Sequence, residues 1–488
     1  MQCKLLFRIS QDCNKPTRCL PDLLFFGVRE RQSVNDKTLM STKWFSIVWM
    51  LANMLGATTS LDNGLALTPP MGWLSWERYM CNTDCTGSPT SCISEQLYTR
   101  MADELVSGGY RDAGYIYVNI DDCWQNRSRD AQGRLQPDAN RFPHGIKWLS
   151  DYMHERGLKL GIYTDYGTAT CEGFPGTDLD HQEIDAKTFA EWGIDSVKVD
   201  GCNSNSSTMN MAYPRFGRML NATGRPMLYS CSWPDYLNDH VNFTDVAQNC
   251  NLWRFSRDIY SQWPIIQQII EFYGTETPVV QPVAGPGNWN DPDQLTVGDH
   301  HPQGWCHNAS DPVGGCNGLT PTESESMMGF WCIVAAPLLM SNDLSSIQPW
   351  AKAILLNPHA IAISQDVLGV QGIKIVDNTT IGNMTITTCS SVTRCTARVV
   401  GTYPVGGFEV WARPLYNGDV AVFILNKNNE GLPMDVVVQL SDIGAFNGSS
   451  LFNASYLDVF AGTSGHAAFN ITARARDTCL ESHAISSA

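Results

Sequence analysis

The chain carries little charge: Asp, Glu, Lys and Arg make up 17% of its 488 residues, against 43% hydrophobic. Disordered chains combine low hydrophobicity with high charge, so disorder is excluded and a folded core is required. Basic residues are scarce, 33 Lys+Arg against 49 Asp+Glu for a net charge of -16. A phosphate backbone or an anionic membrane surface calls for the opposite balance, so no nucleic acid is expected as a partner. No apolar run is long enough to span a bilayer comfortably, so no stable membrane span is expected either. Also missing are a P-loop, GxGxxG after a strand, GxSxG, HExxH and the Asp-x-Asp-x-Asp-Gly calcium loop. Neither a cofactor nor a metal is expected. Internal repeats and low-complexity tracts are absent.

What is plentiful points to the secretory pathway. Seventeen Cys are out of place in a reducing cytosol, and three close pairs read as short disulfide loops: Cys85 with Cys92, Cys306 with Cys316, and Cys389 with Cys395. Ten Asn-x-Ser/Thr sequons accompany them, at Asn126, Asn205, Asn221, Asn242, Asn308, Asn378, Asn383, Asn447, Asn453 and Asn470. Lys43, the apolar run Trp44 to Leu55 and the small residues that follow have the three regions of a secretory signal, so residues 40–60 read as a signal peptide. Residues 1–39, of mixed charge and no clear periodicity, are set apart as a leader. Either translation begins at Met40, or the segment is a cytosolic tail ahead of a signal anchor.

From Leu61 short β-rich runs alternate with helical patterns. The runs are 71–76, 114–122, 158–165, 195–200, 226–233, 251–258, 278–284 and 331–343. Between them Ile93, Leu97, Met101 and Leu105 recur at helical spacing, as do Ile146, Leu149 and Met153. Eight βα units predict an α/β fold, a (β/α)8 TIM barrel over residues 61–372, with its chemistry at the carboxyl ends of the strands. Past Gly372 the pattern changes to alternating runs such as Phe408 to Leu415 and Val420 to Leu425, split by the hairpin signal Asn417-Gly418. Residues 373–488 read as an antiparallel β-sandwich domain.

Acidic residues gather at the strand ends: Asp121-Asp122, Asp165, Asp200, Asp258 and Asp291/Asp293. One such Asp is commonly a helix cap. Five strands ending alike point to a carboxylate-lined pocket for a polyol, and paired carboxylates are what glycoside hydrolysis needs. Asn290-Asp291-Pro292-Asp293 could chelate a cation, but Pro292 stiffens it and the other carboxylates lie on different strands.

The motifs MGWLSWERYMCNTDC, NIDDCW, RFPHGIKWLSDYMHERGLKLGIYTD, DSVKVDGC, YSCSWPDY, CNLWRFSRDI and AGPGNWNDPD resemble, in order and spacing, those of the family 27 retaining α-glycosidases. The resemblance runs from about Leu61 to Gly372 and implies the same barrel and β domain. It implies an exo-glycosidase that removes terminal α-linked N-acetylgalactosamine or galactose from glycoconjugates, works as a homodimer and is lysosomal or secreted. By the same resemblance Asp200 is the nucleophile and Asp258 the general acid/base; Lys198, two residues before Asp200 and on the same barrel face, would hold Asp200 ionised, while Asp258 must be protonated for its task. Asp121 and Asp122 would grip the 4- and 6-hydroxyls, and Trp76 would lie against the sugar ring. Tyr163, Cys171, Tyr236, Arg254 and Asp293 complete the pocket. Ser232 and Asp235 stand beside the 2-substituent, Ser232 as in the N-acetyl enzymes and Asp235 as in neither group. The implied disulfides are Cys81–Cys123, Cys85–Cys92, Cys171–Cys202 and Cys231–Cys250; Cys332 is expected free. Gln294 replaces a Met at the rim, and an insertion spans residues 300–320. An inactive galactoside-binding lectin is the contrasting class, but a lectin has no need of both Asp200 and Asp258.

Overall fold

A computed structural model of the chain describes residues 4–11, 61, 63–237, 241–299, 318–389, 395–427, 434–446, 453–468 and 470–475. The signal segment and most of the 300–320 insertion lie outside the described residues. So do Cys306 and Cys316, and the disulfide expected between them is therefore neither supported nor contradicted by the fold. The side chains of Cys389 and Cys395 also lie outside the description, although their backbones face each other in one hairpin.

The chain enters with strand β1 (Lys4–Gln11), then builds eight short parallel strands: β2 (Met71–Leu74), β3 (Tyr117–Asn119), β4 (Lys159–Asp165), β5 (Ser196–Asp200), β6 (Leu228–Cys231), β7 (Leu252–Arg254), β8 (Trp289–Asp291) and β9 (Leu338–Met340). The ladder runs β8-β7-β6-β5-β4-β3-β2-β9, and a parallel bridge between Leu295 and Met340 joins its two ends into a barrel. Period-2 alternation then sorts the side chains. Val118, Val197, Val199, Tyr229 and Trp253 pack outward into the large core shared with the helices. Tyr117, Leu228, Leu252 and Trp289 turn inward and form an apolar plug at the barrel floor. The inward residues one pleat higher are Asn119, Lys198, Ser230, Arg254 and Asp291. The barrel interior is therefore greasy at its base and charged at its mouth.

Two predicted strands are corrected. Residues 278–284 are not a strand: Pro278 to Val280 finish the helix Trp263–Val280, whose buried Ile265, Ile266, Ile269, Ile270 and Tyr273 keep helical spacing. The strand at that place is Trp289–Asp291. Likewise Trp331 to Ile333 close the helix Pro321–Ile333, started by a capping box between Thr320 and Glu323. Only Leu338–Met340 is strand in that run. A continuous apolar run reads the same in a buried helix and a buried strand, which is why periodicity could not separate them.

The C-terminal domain is antiparallel. Strands β10 (Ile373–Cys389), β11 (Cys395–Pro414), β12 (Val420–Asn426), β13 (Met434–Gln439), β14 (Asn453–Asp458), β15 (Ser464–Ala468) and β16 (Asn470–Ala475) form a six-stranded sheet in the order β10-β11-β12-β1-β14-β15 and a two-stranded β13-β16 ribbon. The Asn417-Gly418 turn joins β11 to β12, with Gly418 at φ +86°. The strand β1 inside this sheet comes from the segment set apart as a leader, its backbone paired from Lys4 to Ile9 with β12 and from Phe7 to Gln11 with β14.

Alternation decides the docking too. Trp411, Ala421, Phe423 and Leu425 join the barrel core, whereas Val410, Ala412, Val422 and Ile424 pack with Val436 and Val438 of β13. Arg413 is fully buried and its Nη1 donates to the carbonyls of Cys332, at 2.7 Å, and Ile363, at 2.6 Å. Both carbonyls lie in the last turns of helices, where the helix dipole favours a cation. Beside it, Glu409 accepts from Lys427, from Lys374 at 2.8 Å and from the Trp411 indole at 3.1 Å, and Lys427 also reaches Glu271 on the barrel. Lys427 and Glu409 are both fully buried. Glu409→Gln removes the charge that two buried or half-buried ammonium groups face, and a broken buried pair costs ~3 kcal/mol or more. A melting temperature several degrees lower is expected, with early loss of the Trp411 near-ultraviolet signal; an unchanged melting curve contradicts this account of the docking.

Candidate active site

The carboxyl ends of the barrel strands bring the expected residues to one mouth. Asp200 ends β5. Its Oδ1 accepts from the Tyr236 hydroxyl at 2.7 Å and from the Gly201 N–H at 3.0 Å, and its Oδ2 from the Tyr163 hydroxyl at 3.3 Å. Gly201 has a specific reason to lack a side chain: a Cβ there would stand 2.7 Å from the Tyr236 ring. Burial first, and then the charge of Asp200, push the Tyr236 phenol far above its usual range, so it stays a donor.

Lys198 feels the Asp200 charge, as expected, but makes its direct ion pair elsewhere. Its Nζ pairs with Asp121 Oδ2 at 2.7 Å instead of with Asp200. The reason is reach: Lys198 and Asp200 point to the same side of β5, but the long lysine stem crosses the mouth to the end of β3. Burial works to lower the Lys198 ammonium, and the Asp121 and Asp200 carboxylates more than offset it. Asp122 turns its Oδ1 to the Cys123 N–H at 2.6 Å and its Oδ2 to the Glu172 N–H at 3.1 Å. Burial raises its carboxyl to about 7.

Opposite Asp200, Arg254 ends β7 with its side chain only 7% exposed. Its Nη2 lies 2.6 Å from Asp258 Oδ1 and 3.9 Å from Asp235 Oδ2, and its Nη1 3.5 Å from Asp293 Oδ2. The Arg254 charge holds the Asp258 carboxyl below its usual range, the opposite direction from the one a proton donor needs. Burial raises Asp235 to about 6 although Arg254 opposes it. Ser232 and Asp235 belong to one 3₁₀ turn, with Asp235 N–H donating to Ser232 C=O at 3.1 Å. Residues three apart eclipse in such a turn, so the two side chains share a face. Trp233 anchors the turn by stacking on Tyr213 and donating to Asn210 at 2.9 Å. Trp76 is half-buried at the start of the helix Trp76–Tyr79 that follows β2.

Among the described residues four disulfides brace these loops: Cys81–Cys123, Cys85–Cys92, Cys171–Cys202 and Cys231–Cys250. The two further pairings expected from spacing, Cys306 with Cys316 and Cys389 with Cys395, do not join them, because the sulfurs of all four residues fall outside the description. Cys171–Cys202 ties the loops after β4 and β5, and Tyr163 Oη is 3.4 Å from Cys171 Sγ. Because Cys171 and Cys202 are joined, the cluster they form with Asp165 and Asp200 offers no thiolates to a metal. Cys332 is free and buried. Backbone strain concentrates at this mouth, where Cys123, Asn203 and Asp293 take φ of +72°, +50° and +80°.

Three further buried carboxyls stand here: Asp165 and Asp291, which the sequence reading placed among the strand-end acids without giving them a role, and Glu77, which it missed. Asp165 stands beside Asp200 in the β4–β5 register, and burial, then the Asp200 charge, raise it to about 9. Burial, then Asp293, raise Asp291 to about 7. Glu77 accepts from the Ser261 N–H at 3.1 Å. Asp165 ended a predicted strand, whereas Asp291 lay beyond the run 278–284, in the stretch Asn290-Asp291-Pro292-Asp293; Glu77 gave no signal. Gln294 is not at a rim: it is buried, with its Oε1 accepting the Glu77 N–H at 3.2 Å.

Comparison with known proteins agrees with this geometry. The family described as Alpha galactosidase A matches residues 68–366, and the family described as Alpha galactosidase C-terminal beta sandwich domain matches residues 405–485. The chain is 51% identical over 319 residues to an alpha-N-acetylgalactosaminidase of Gallus gallus, covering 65% of this chain and 75% of that protein. It is 42% identical over 388 residues to alpha-galactosidase A of Homo sapiens, covering 79% and 80%. Its fold superposes on the crystal structure of alpha-galactosidase I from Mortierella vinacea with a TM-score of 0.67 at 29% identity, over 85% of this chain and 95% of that one. With the family match over residues 68–366, the β-domain match that follows it and these identities, the chain belongs to the alpha-galactosidase A family of glycoside hydrolases.

Proposed function

We propose that the chain removes terminal α-linked N-acetylgalactosamine, and also galactose, from glycoconjugates, with Asp200 as nucleophile and Asp258 as acid/base. The observation that carries this reading is the pairing across the mouth of Asp200, steadied by two tyrosine hydroxyls, with Asp258, held on a buried guanidinium. Asp200 attacks the anomeric carbon while Asp258 gives a proton to the departing oxygen. Asp258 then takes a proton from water as that water displaces Asp200, and two inversions leave the configuration retained. Asp121 and Asp122 are assigned to the sugar hydroxyls and Trp76 to the ring face. A slow activated fluorosugar should label Asp200 on peptide mapping; a label elsewhere, or an inverted product, ends the assignment.

The N-acetyl preference rests on the 3₁₀ turn, where small Ser232 leaves space and Asp235 sits on the same face. The second reading, a plain α-galactosidase, is favoured by the length of the match to alpha-galactosidase A. Ser232→Glu with Asp235→Leu should fill that space, lose the N-acetylgalactosaminide and keep the galactoside, a change in relative kcat/KM of about a hundredfold or more. The ratio is taken between two sugars bearing one leaving group, so effects on proton donation cancel. An unchanged ratio removes the basis for the N-acetyl choice.

We further infer a lysosomal or secreted protein, on the resemblance and the sequence signals, with homodimeric assembly resting on the resemblance alone. Among the described residues no helix is long and apolar enough to cross a membrane. The sequon residues Asn126, Asn205, Asn221, Asn242 and Asn378 are exposed, as glycosylation requires. An acidic compartment also suits the buried carboxyls. Asp235, Asp122, Asp291 and Asp165 are raised to about 6, 7, 7 and 9. In this range the folded state binds more protons than the unfolded chain, so their contribution is full below the ordinary carboxylate range and fades as pH climbs through those values. The melting temperature should therefore fall steadily from about pH 5 to pH 9; a rise across that window contradicts the burial of these groups in protonated form.

A further inference from the structure

Asp235 and Asp258 face the same guanidinium nitrogen, Nη2 of Arg254, at 3.9 and 2.6 Å. Beside one buried guanidinium, a carboxylate that takes the cation is held ionised, and one that does not is better off with a proton. Arg254 Nη2 rests on Asp258, at 2.6 Å, and burial pushes the Asp235 carboxyl up toward keeping a proton. Proton donation to a glycosidic oxygen needs the reverse.

We propose that Asp235 is a positioning residue for the proton donor: Arg254 passes from Asp258 to Asp235 as a proton passes from Asp235 to Asp258. The proposal rests on the assignment of Asp258 as acid/base. The exchange balances. Before it, Asp235 is a carboxylic acid and Asp258 a carboxylate on Arg254; after it, Asp235 is the carboxylate on Arg254 and Asp258 the acid. One O–H bond breaks at Asp235 and one forms at Asp258, through solvent at the Asp258 end, where the side chain is 66% exposed.

The geometry favours the move. Bringing Nη2 within hydrogen-bond range of Asp235 closes a gap of about 1 Å. Asp293, on Nη1, marks the pivot, and a guanidinium's planar fork lets one nitrogen change partner while another keeps its own. The surrounding charges hold the starting arrangement: Asp258, Asp200 and Asp293 favour a proton on Asp235, and Lys198 and Arg257 oppose one on Asp258, so the exchange depends on the second seat that Asp235 offers Arg254. Near Asp258 stand also Tyr260 and Glu77, whose own titrations its charge raises. Without a second seat for Arg254, nothing else in this set draws the cation off Asp258 except Asp293, which already holds the other nitrogen.

Asp235→Asn keeps the shape of the side chain and removes both its proton and its charge. The measurement is kcat/KM against pH for one sugar carrying a series of phenols from good to poor leaving groups, normalised by active-site titration with the fluorosugar so that misfolded protein is not counted. The alkaline limb, which reports the acid, should move to lower pH by about one unit, and the loss should grow along the series to about tenfold or more for the poorest leaving group. Asp235→Glu should restore the limb. If the limb stays in place and the losses are equal along the series, the exchange does not occur. Asp258→Asn, run in parallel, separates the two ideas: if its loss does not depend on the leaving group, the acid/base assignment itself is wrong, whatever Asp235 does.

Discussion

Eight aspartates crowd the barrel mouth around two buried cations, Lys198 and Arg254, and the site depends on how that imbalance is held. Removing a carboxylate from water costs several kcal/mol unless a cation, a hydrogen bond or a proton replaces the lost hydration. Each of the three solutions is in use. Asp121 takes Lys198, Asp258 takes Arg254, Asp200 takes two tyrosine hydroxyls and an amide, and Asp122, Asp165, Asp235 and Asp291 are pushed toward keeping a proton. A mouth built in this way suits acidic surroundings, and it leaves Asp200 and Asp258 in unlike environments, which is what the opposite roles proposed for them require.

Rigidity is supplied from outside the barrel. Four disulfides tie the loops that carry Asp121, Asp122 and Asp200 and brace the strand that leads into the Ser232–Asp235 turn. The strained backbones at Cys123, Asn203 and Asp293 lie beside those loops and persist because the surrounding structure over-determines them. Behind the barrel the β domain presents one face of β11 and β12 to the helices and fastens it with Arg413 and the Glu409–Lys427 pair. These buried charges make the docking specific, since a shifted interface would leave Arg413 and Lys427 without partners in an apolar setting.

The barrel was legible because its strands end in a repeated signature, β-branched residues running into Asp, and because helical spacing between them is regular. Where the signature lapsed the reading lapsed: Trp289–Asp291 is three residues long, and the apolar run at 278–284 beside it belongs to a helix. The segment Lys4–Gln11 was set apart as a leader because nothing local to it signals a partner more than 400 positions away, Val420–Leu425. The disulfides Cys81–Cys123, Cys171–Cys202 and Cys231–Cys250, and the roles within the pocket, came from matched motifs; close spacing alone gave Cys85–Cys92.

The sequence by itself determined the chemistry available: which strand ends carry carboxylates, that Lys198 and Asp200 share a face, and that Ser232 and Asp235 lie three apart. It could not determine which charges pair, because pairing depends on the distance between side chains on different strands and on how much water reaches them. Closing the barrel sent Lys198 to Asp121, set Arg254 between Asp258 and Asp235, and buried Asp165 beside Asp200. Partner and protonation state are properties of that enclosed space, where each charge is felt by every other.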